Sequence, residues 1–402
     1  MWACAVGIIV TGAAKSLMLL ARALLGVALP IHTQSYGVDP PFPVPASPPR
    51  WSWDTLGAMA FAHVCQPDAF NQSQLEQLRR YPFVQFDKQM NTRSMPAASQ
   101  EDRFLAAARQ VKAVNADAKI LLYLNGLINF PAFRLYNATP PSLLLTNSSG
   151  ERLHLLPNTG GVFDVRQAEM RKIFVADTKY AMASGAVDGV FIDRANWGEK
   201  CQAGDNGFDA TTCAALPAAQ QLMLQEITTA LGPRAIVLAK DTSGAPMNDW
   251  RVANTVMTSD TFCSSYCRGC GSNPTAAPAW TPALRDDCIQ SMETIANTSA
   301  RGQISQSHAM GAMTDAVQRE WGIACFLIGA GNLSYFSYAD WGSGAWTMAG
   351  TQWWPEYHYK LGAPLDPPLK KVEEFVYVRR FSSGTTVRVD VGKHVANVNW
   401  AT

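Results

Sequence analysis

The chain has 402 residues, 48% of them apolar and 16% charged, with a formal net charge of +1. That length holds one large α/β barrel with a small appendage or two medium domains, and the apolar share excludes a disordered chain. The near-neutral balance, with no run of Lys and Arg, excludes a phosphate-binding surface, so nucleic acid is not a partner.

Residues 1–36 read as a leader. Met1 to Ala14 is apolar and small, Lys15 interrupts, and Ser16 to Pro30 gives a second apolar stretch broken by Arg22. Neither reaches the roughly 18–20 uninterrupted apolar residues of a spanning helix. A signal peptide and an uncleaved signal anchor are both open readings. A plastid-directed leader is a third, because no acidic residue precedes Asp39. Residues 37–50, with Asp39-Pro-Pro-Phe-Pro-Val-Pro-Ala-Ser-Pro-Pro49, form an extended linker. The folded part is expected to run as a barrel over 51–360 and an appendage over 361–402.

Strand then alternates with helix. Leu56 to Val64 reads as a strand and Asn71 to Arg80 as a polar helix; Phe83 to Phe86 is the next strand, ending at Asp87-Lys88. Ser99-Gln-Glu-Asp102 starts a helix whose apolar side includes Phe104, Leu105, Ala108 and Val111. Lys119 to Leu124 is a strand ending at Asn125, and Arg166 to Ser184 is a helix stopped by Gly185. In Gly185-Ala-Val-Asp-Gly-Val-Phe-Ile-Asp-Arg194, Asp188-Gly189 turns into a short β-branched and aromatic run that stops at Asp193-Arg194. Such a run suits a strand buried on both faces of a parallel sheet.

A helix is expected from about Pro217 to Leu231, a strand over Ala235 to Ala239 ending at Lys240-Asp241, and a strand over Asn254 to Thr258 ending near Asp260. A helix from about Pro282 to Asn297 precedes Gln303 to Ser307, which leads to His308. Met313 to Glu320 reads as helical and Ile323 to Ile328 as the last barrel strand. About eight strands alternating with helices imply a (β/α)8 TIM barrel. A doubly wound sheet is the competitor, and no Gly-x-Gly-x-x-Gly follows the first strand to favour it. The tail, Phe375 to Phe381 and Thr386 to Asp390 about a Ser382-Ser-Gly384 turn, reads as a small β-hairpin packed on the barrel.

Of nine cysteines, Cys4 lies in the leader and eight remain. Cys201 and Cys213 bracket a polar loop, while Cys263, Cys267, Cys270 and Cys288 cluster later. Cys263-x3-Cys267-x2-Cys270 has the close spacing of a zinc ligand set. A leader, an even mature count and sequons at Asn71, Asn137, Asn147, Asn297 and Asn332 favour disulfides instead, in a glycoprotein of the secretory lumen or outside the cell.

The polar residues at the expected C-terminal strand ends are His63, Asp87, Lys88, Asn125, Asp164, Asp193, Arg194, Lys240, Asp241, Asp260 and His308. Barrels place their chemistry at these ends. Hydrolysing an acetal needs one carboxyl to protonate the leaving oxygen and a second to attack, stabilise or activate water. No phosphate loop, nucleophile elbow or His-Glu-x-x-His is present. The best reading is a monomeric barrel acting on a carbohydrate with no cofactor and no metal. Its sugar-contacting residues would be Asp87, Asn125, Asp164, Arg194, Asp241, His308, Tyr338 and Trp341. Each has a plainer alternative: Asp193 can cap a helix or pair with Arg194, Asp164 and Asp87 can pair with Arg166 and Lys88, and the aromatics after Ile328 can form a packed lid.

Several stretches together resemble a known family. They are Tyr81-Pro-Phe-Val-Gln-Phe-Asp-Lys88, Asn115 to Asn125, Phe163-Asp-Val-Arg166 with Glu169-Met-Arg171, Gly185 to Arg194, Gly362-Ala-Pro-Leu365, and Val376-Tyr-Val-Arg-Arg-Phe381 with Gly384 and Val387. In this order, from about Phe61 to Asp390, the chain resembles the TIM-barrel glycosidases grouped as hypothetical glycosyl hydrolases, family 15. The resemblance implies that Asp193 is the nucleophile or base. It also implies an acid within Val256-Met-Thr-Ser-Asp-Thr-Phe262, where Asp260 stands in place of the expected Glu. A barrel that binds carbohydrate without cleaving it is the alternative, and a metal-dependent hydrolase using His308 is a third reading.

Overall fold

A computed structural model describes residues 45–401 except 64–68, 88–92, 196–200, 202–203, 205–206, 241–254, 258–261, 264–279 and 340–351; of Ala62, His63 and Asp87 it describes the backbone alone. The leader and most of the linker lie outside the described residues. No helix among the described residues is long and apolar enough to cross a membrane.

Eight parallel strands pair in chain order. They are β1 (Ala60–His63), β2 (Phe83–Asp87), β3 (Lys119–Asn125), β4 (Gly189–Asp193), β5 (Ile236–Ala239), β6 (Thr255–Met257), β7 (Ile304–Met310) and β8 (Ser334–Ala339). A parallel bridge between Ala58 and Phe336 joins the first strand to the last, with Met59 N–H donating to Phe336 O at 3.0 Å and Phe336 N–H to Gly57 O at 2.7 Å. The barrel expected from the alternation is therefore present. Its strands read as apolar runs because β4, β7 and β8 are buried at every residue, filling the barrel on one face and meeting helices on the other.

The outer helices are α1 (Gln72–Leu78), α2 (Gln100–Val114), α3 (Arg134–Ala138), α4 (Ala168–Ala183), α5 (Ala210–Leu231), α6 (Pro282–Ala300) and α7 (Ala316–Gly329). Their starts follow local chemistry: Asn71 and Gln74 form a reciprocal capping box, and Ser99, Asp209, Thr281 and Asp315 accept first-turn N–H groups. Helix α4 ends at Ser184, and Gly185 follows in the left-handed region at φ 66°. Helix α5 begins seven residues before Pro217, because the Asp209 cap sets its start and the proline is carried inside.

Two sequence expectations are corrected. Ile323 to Ile328 is not a strand but part of α7, and the last strand is Ser334–Ala339, which contains Tyr335, Phe336 and Tyr338. A short apolar run has no period that separates a buried strand from a buried helix. Helix α7 lacks a polar side over this run because it touches β7 and β8 on one side and the C-terminal sheet on the other. The tail is likewise more than a hairpin: β9 (Lys371–Glu373), β10 (Val376–Arg380), β11 (Thr386–Asp390) and β12 (Val395–Asn399) form a four-stranded antiparallel sheet. Its outer strands are short or largely exposed, so they carry little of the apolar alternation that marks the central pair.

The paired arginines of β10 face opposite ways, as strand alternation requires. The buried Arg379 guanidinium donates to Leu327 O and Ala330 O, at the C-terminus of α7 where carbonyls lack intrahelical partners. Arg380 instead reaches Asp366 through its backbone N–H, Nε and Nη2 at 2.8–3.0 Å, and Lys370 Nζ adds a fourth donor at 2.9 Å. These hydrogen bonds hold the Asp366 carboxyl below the usual carboxylate range. On the hairpin between β11 and β12, the His394 ring stacks on Trp280 at 4.0 Å and meets Trp321 edge-on at 4.4 Å.

Strand β4 is pinned at its start. Asp188 accepts Lys112 Nζ at 2.8 Å, Lys119 Nζ at 3.2 Å and Ile120 N–H at 3.0 Å. Gly189 follows because β5 comes too close for a side chain: a Cβ there would lie 1.9 Å from Ile236 O. Gly189→Ala is expected to destabilise the protein, at or above the upper end of the about 1–3 kcal/mol typical of overpacking. Chemical denaturation with circular dichroism checks this, and an unchanged midpoint would contradict the close approach.

Candidate active site

The inner face of the barrel is set by rings that meet across it. Phe61 of β1 contacts Phe191 of β4 at 6.2 Å, although the two strands are not neighbours, and Phe191 meets Tyr123 of β3 at 5.5 Å. Alternation then places Asp193 on the same inner face as Phe191, and Asn125 on the same face as Tyr123. The register pairs Asn125 directly with Asp193. Both stand at the C-terminal end of the barrel, above an aromatic floor.

Asp193 is buried and held by three side chains, two from β3 on one side and one from just beyond β5 on the other. Its Oδ2 accepts from Tyr123 Oη at 2.8 Å and Asn125 Nδ2 at 3.2 Å, and its Oδ1 lies 2.8 Å from Lys240 Nζ just beyond β5. The amide of Asn125 has one possible orientation, since its Oδ1 accepts the backbone N–H groups of Leu127 and Ile128 at 3.1 and 2.7 Å. Arg194, the partner expected of Asp193 on plainer grounds, has its backbone in the left-handed region at φ 55°, and its carbonyl accepts Gln220 Nε2. Among the described residues Asp193 caps no helix: α5 starts at Ala210 and is capped by Asp209.

The other expected site residues divide. His308 is buried on β7, its ring against Phe61 at 4.4 Å, and its carbonyl receives Phe262 N–H at 3.0 Å. Asp87 ends β2 in register with His63. Asp164 is bound by Arg166 Nε at 2.7 Å and Nη2 at 3.1 Å, while Arg166 also reaches Thr212 Oγ1 at the start of α5. Tyr338 is buried with its hydroxyl directed to Ala312 O and Asp315 O, and Trp354 packs on its ring. With Tyr357 and Trp353 these aromatics form packed contacts around β8. Asp241, Asp260 and Trp341 lie outside the described residues.

Sequence reasoning named Lys240 at a strand end but gave it no role, and it passed over Tyr123 altogether. Lys240 followed by Asp241 reads as an ordinary charged strand exit. Tyr123 sits two residues before Asn125, and that same-face spacing was the available signal.

The cysteines fasten two loops at the same end. Cys201 is bonded to Cys213 across 12 residues, tying the segment after β4 to the first turns of α5. Cys263 is bonded to Cys288, tying the segment after β6 to α6. Cys263 therefore does not serve the zinc set read from Cys263, Cys267 and Cys270, of which the last two lie outside the described residues. Cys325 is a buried free thiol beside that disulfide, with its Sγ 3.8 Å from Cys288 Sγ, and burial pushes its pKa up. Among the described residues these three sulfurs are the one group placed closely enough to share a metal ion, and two of them are already joined.

A closed parallel barrel with a buried, multiply held carboxylate at the C-terminal end of its fourth strand has the layout of a TIM-barrel hydrolase. The chain matches Hypothetical glycosyl hydrolase family 15 over residues 112–385 and belongs to that family; it is a hydrolase of glycosides. No match to a curated protein was found. Among solved structures, the chain is similar to the glycoside hydrolase domain of PelA from Pseudomonas aeruginosa. Identity there is 13% and the TM-score 0.45, covering 69% of this chain and 94% of that one. For Aspergillus fumigatus Ega3 in complex with galactosamine the identity is 14% and the TM-score 0.43, covering 73% and 94%. For the maltogenic α-amylase AmyB from Thermotoga neapolitana the identity is 12% and the TM-score 0.45, covering 84% and 86%.

The loop that leaves Asn125 is clamped by a buried acidic pair. Arg134 N–H, at the start of α3, donates to both Glu101 oxygens at 2.9 and 2.8 Å, and Gln100 N–H donates to Ala132 O at 2.8 Å. Arg134 Nε reaches Asp177 at 3.3 Å and its guanidinium covers the Tyr180 ring at 3.6 Å. Burial, reinforced by the neighbouring Asp177, pushes Glu101 up to about 8 against the pull of the backbone donors. Burial likewise raises Asp177 to about 6, with Arg134 opposing. The folded state thus binds more protons than the unfolded chain between the ordinary carboxylate range and pH about 8. The stability this contributes is fully present at acid pH and is lost as pH rises through that window. Glu101→Gln, which keeps an acceptor for Arg134 N–H, should flatten this decline. Thermal melts from pH 5 to about 8.5 check it. A variant with the same slope as the wild type contradicts the assignment.

Proposed function

We propose that the chain cleaves O-glycosidic bonds of an oligo- or polysaccharide by a two-carboxylate mechanism, with Asp193 as nucleophile or base and Asp260 as general acid. The observation that carries the first role is the surroundings of Asp193. A carboxylate receiving a phenol, an amide and an ammonium donor is stabilised in its ionised form. A nucleophile or base must be ionised, whereas a general acid must hold a proton near neutral pH, so the acid has to be a second group.

Asp260 is the proposed donor because its chain neighbours stand at the same end of the barrel. Met257 closes β6, and Phe262 N–H is bound to the carbonyl of His308. The disulfide at Cys263 then anchors the following segment. With the shorter Asp in the acid's place, a carboxyl separation of about 5–5.5 Å gives retention and about 6.5–9.5 Å gives inversion. Arg194, His308, Asp87, Asp241 and Trp341 remain the proposed sugar-contacting groups. Asn125, Asp164 and Tyr338 are engaged with the protein itself, and of these Asn125 acts by orienting Asp193.

The disulfides support a secretory or extracellular setting, as do the exposed sequon residues Asn71, Asn137, Asn297 and Asn332.

A panel of glycans and aryl glycosides tests the reaction. Asp193→Asn should lose activity on every substrate. Asp260→Asn should lose about 10²–10⁴-fold on natural linkages and keep most activity on glycosides with good leaving groups, which need no proton. Binding of a glycan without turnover by the unmutated protein would favour a non-catalytic carbohydrate-binding barrel. Uniform losses in Asp260→Asn would remove Asp260 from the acid's role.

A further inference from the structure

Lys240 has no place in the two-carboxylate scheme, yet among the described residues it brings a charge to within 2.8 Å of the proposed reacting group. It stands one residue past β5, with its backbone N–H bound to Ile192 O at 3.1 Å, so the barrel register sets it beside Asp193. Its side chain is 8% exposed and that of Asp193 6%, with Nζ and Oδ1 at 2.8 Å. Withdrawing either charge from water alone is unfavourable: a buried lysine sheds its proton and a buried carboxyl takes one up. Side by side, each holds the other charged.

Asp193 is also held from both of its oxygens. Oδ2 receives two donors, Tyr123 Oη and Asn125 Nδ2, which fill its two lone pairs in fixed directions. Oδ1 faces the flexible ammonium. We infer that Lys240 is a positioning residue: its ammonium keeps Asp193 ionised inside the barrel mouth and fixes the carboxylate from the side opposite Tyr123 and Asn125. When the carboxylate attacks the anomeric carbon, the bond from that carbon to the leaving oxygen breaks, the leaving oxygen takes the proton of the general acid, and the negative charge beside Lys240 is consumed. When water then attacks that carbon and gives its proton to the former acid, the bond to Asp193 breaks and the ammonium receives the returning carboxylate. A cation so placed makes the carboxylate a weaker nucleophile and a better leaving group, in contrast to an apolar pocket. The catalytic use of Lys240 rests on Asp193 being the reacting group, whereas the charge pairing does not.

The test follows the Asp193 carboxyl directly in full-length protein labelled with 13C at aspartate side-chain carboxyls. The signal is assigned by its loss in Asp193→Asn. In the wild type it is expected to stay at its ionised shift down to pH about 4, close to the ordinary aspartate midpoint. In Lys240→Met the midpoint should rise by about 1–3 pH units, and Lys240→Arg should return most of the way. Two results overturn the inference: a wild-type signal that titrates at pH about 5 or above, or a folded Lys240→Met protein with an unmoved midpoint. The wild-type measurement stands even if Lys240→Met does not fold. No substrate enters the experiment, so a protein that hydrolyses no glycoside would count against the proposed reaction and leave this result intact.

Discussion

The segment from Asp188 to Asp193 is held by paired charge at both ends, half-buried at Asp188 and buried at Asp193, and the barrel mouth is arranged from it. At the lower end Asp188 gathers Lys112, Lys119 and the Ile120 N–H, which locks β4 against β3 and α2. At the upper end Asp193 gathers Tyr123, Asn125 and Lys240 from the strands on either side. Between them Gly189 lets β5 approach and Phe191 joins the aromatic floor. One six-residue stretch thereby carries an anchor, a close approach, a core ring and the candidate reacting group. A register slip of one residue would turn Asp193 out of the barrel.

Around that strand, loops at the C-terminal end are fastened by different means. The segments after β4 and β6 are tied by disulfides, and the loop after β3 is tied by Glu101 through the backbone of Arg134. Such fastening suits a site whose side chains must be preorganised, because a charge stabilised by fixed donors needs those donors held in place. At the other side of α7, Arg379 and the Asp366 cluster dock the C-terminal sheet onto the barrel. The Val376 to Phe381 stretch of the family resemblance is thus a docking element, remote in role from the chemistry.

The chain announced its strands and the carboxylate at the end of β4, because buried parallel strands leave a local signature of β-branched and aromatic runs with abrupt polar ends. Helix starts at Asn71, Ser99 and Thr281 were equally local, since a capping side chain acts on N–H groups two or three residues away. Local reading failed at Ile323 to Ile328. The side of a helix that would normally show polar residues is covered there by a sheet from the end of the chain. Taking that run as the last strand hides Ser334–Ala339 (Ser-Tyr-Phe-Ser-Tyr-Ala), which is buried at every residue, is bridged to Ala58 through Phe336 and closes the barrel.

The sequence by itself determined the barrel class, the burial of β4 and the place of Asp193 at its C-terminal end, because alternation and buried apolar runs are local properties of the chain. Only the tertiary structure decided what Asp193 touches. Tyr123, Asn125 and Lys240 come from positions 68 or 70 residues before it on β3 and from the far side of α5. Their local patterns place Asn125 and Lys240 at strand ends and Tyr123 on the face of Asn125, but do not say that all three meet one carboxylate. Hydrogen bonds and ion pairs fall off within a few ångströms, so the partner of a buried charge is set by which strands lie side by side and in what register.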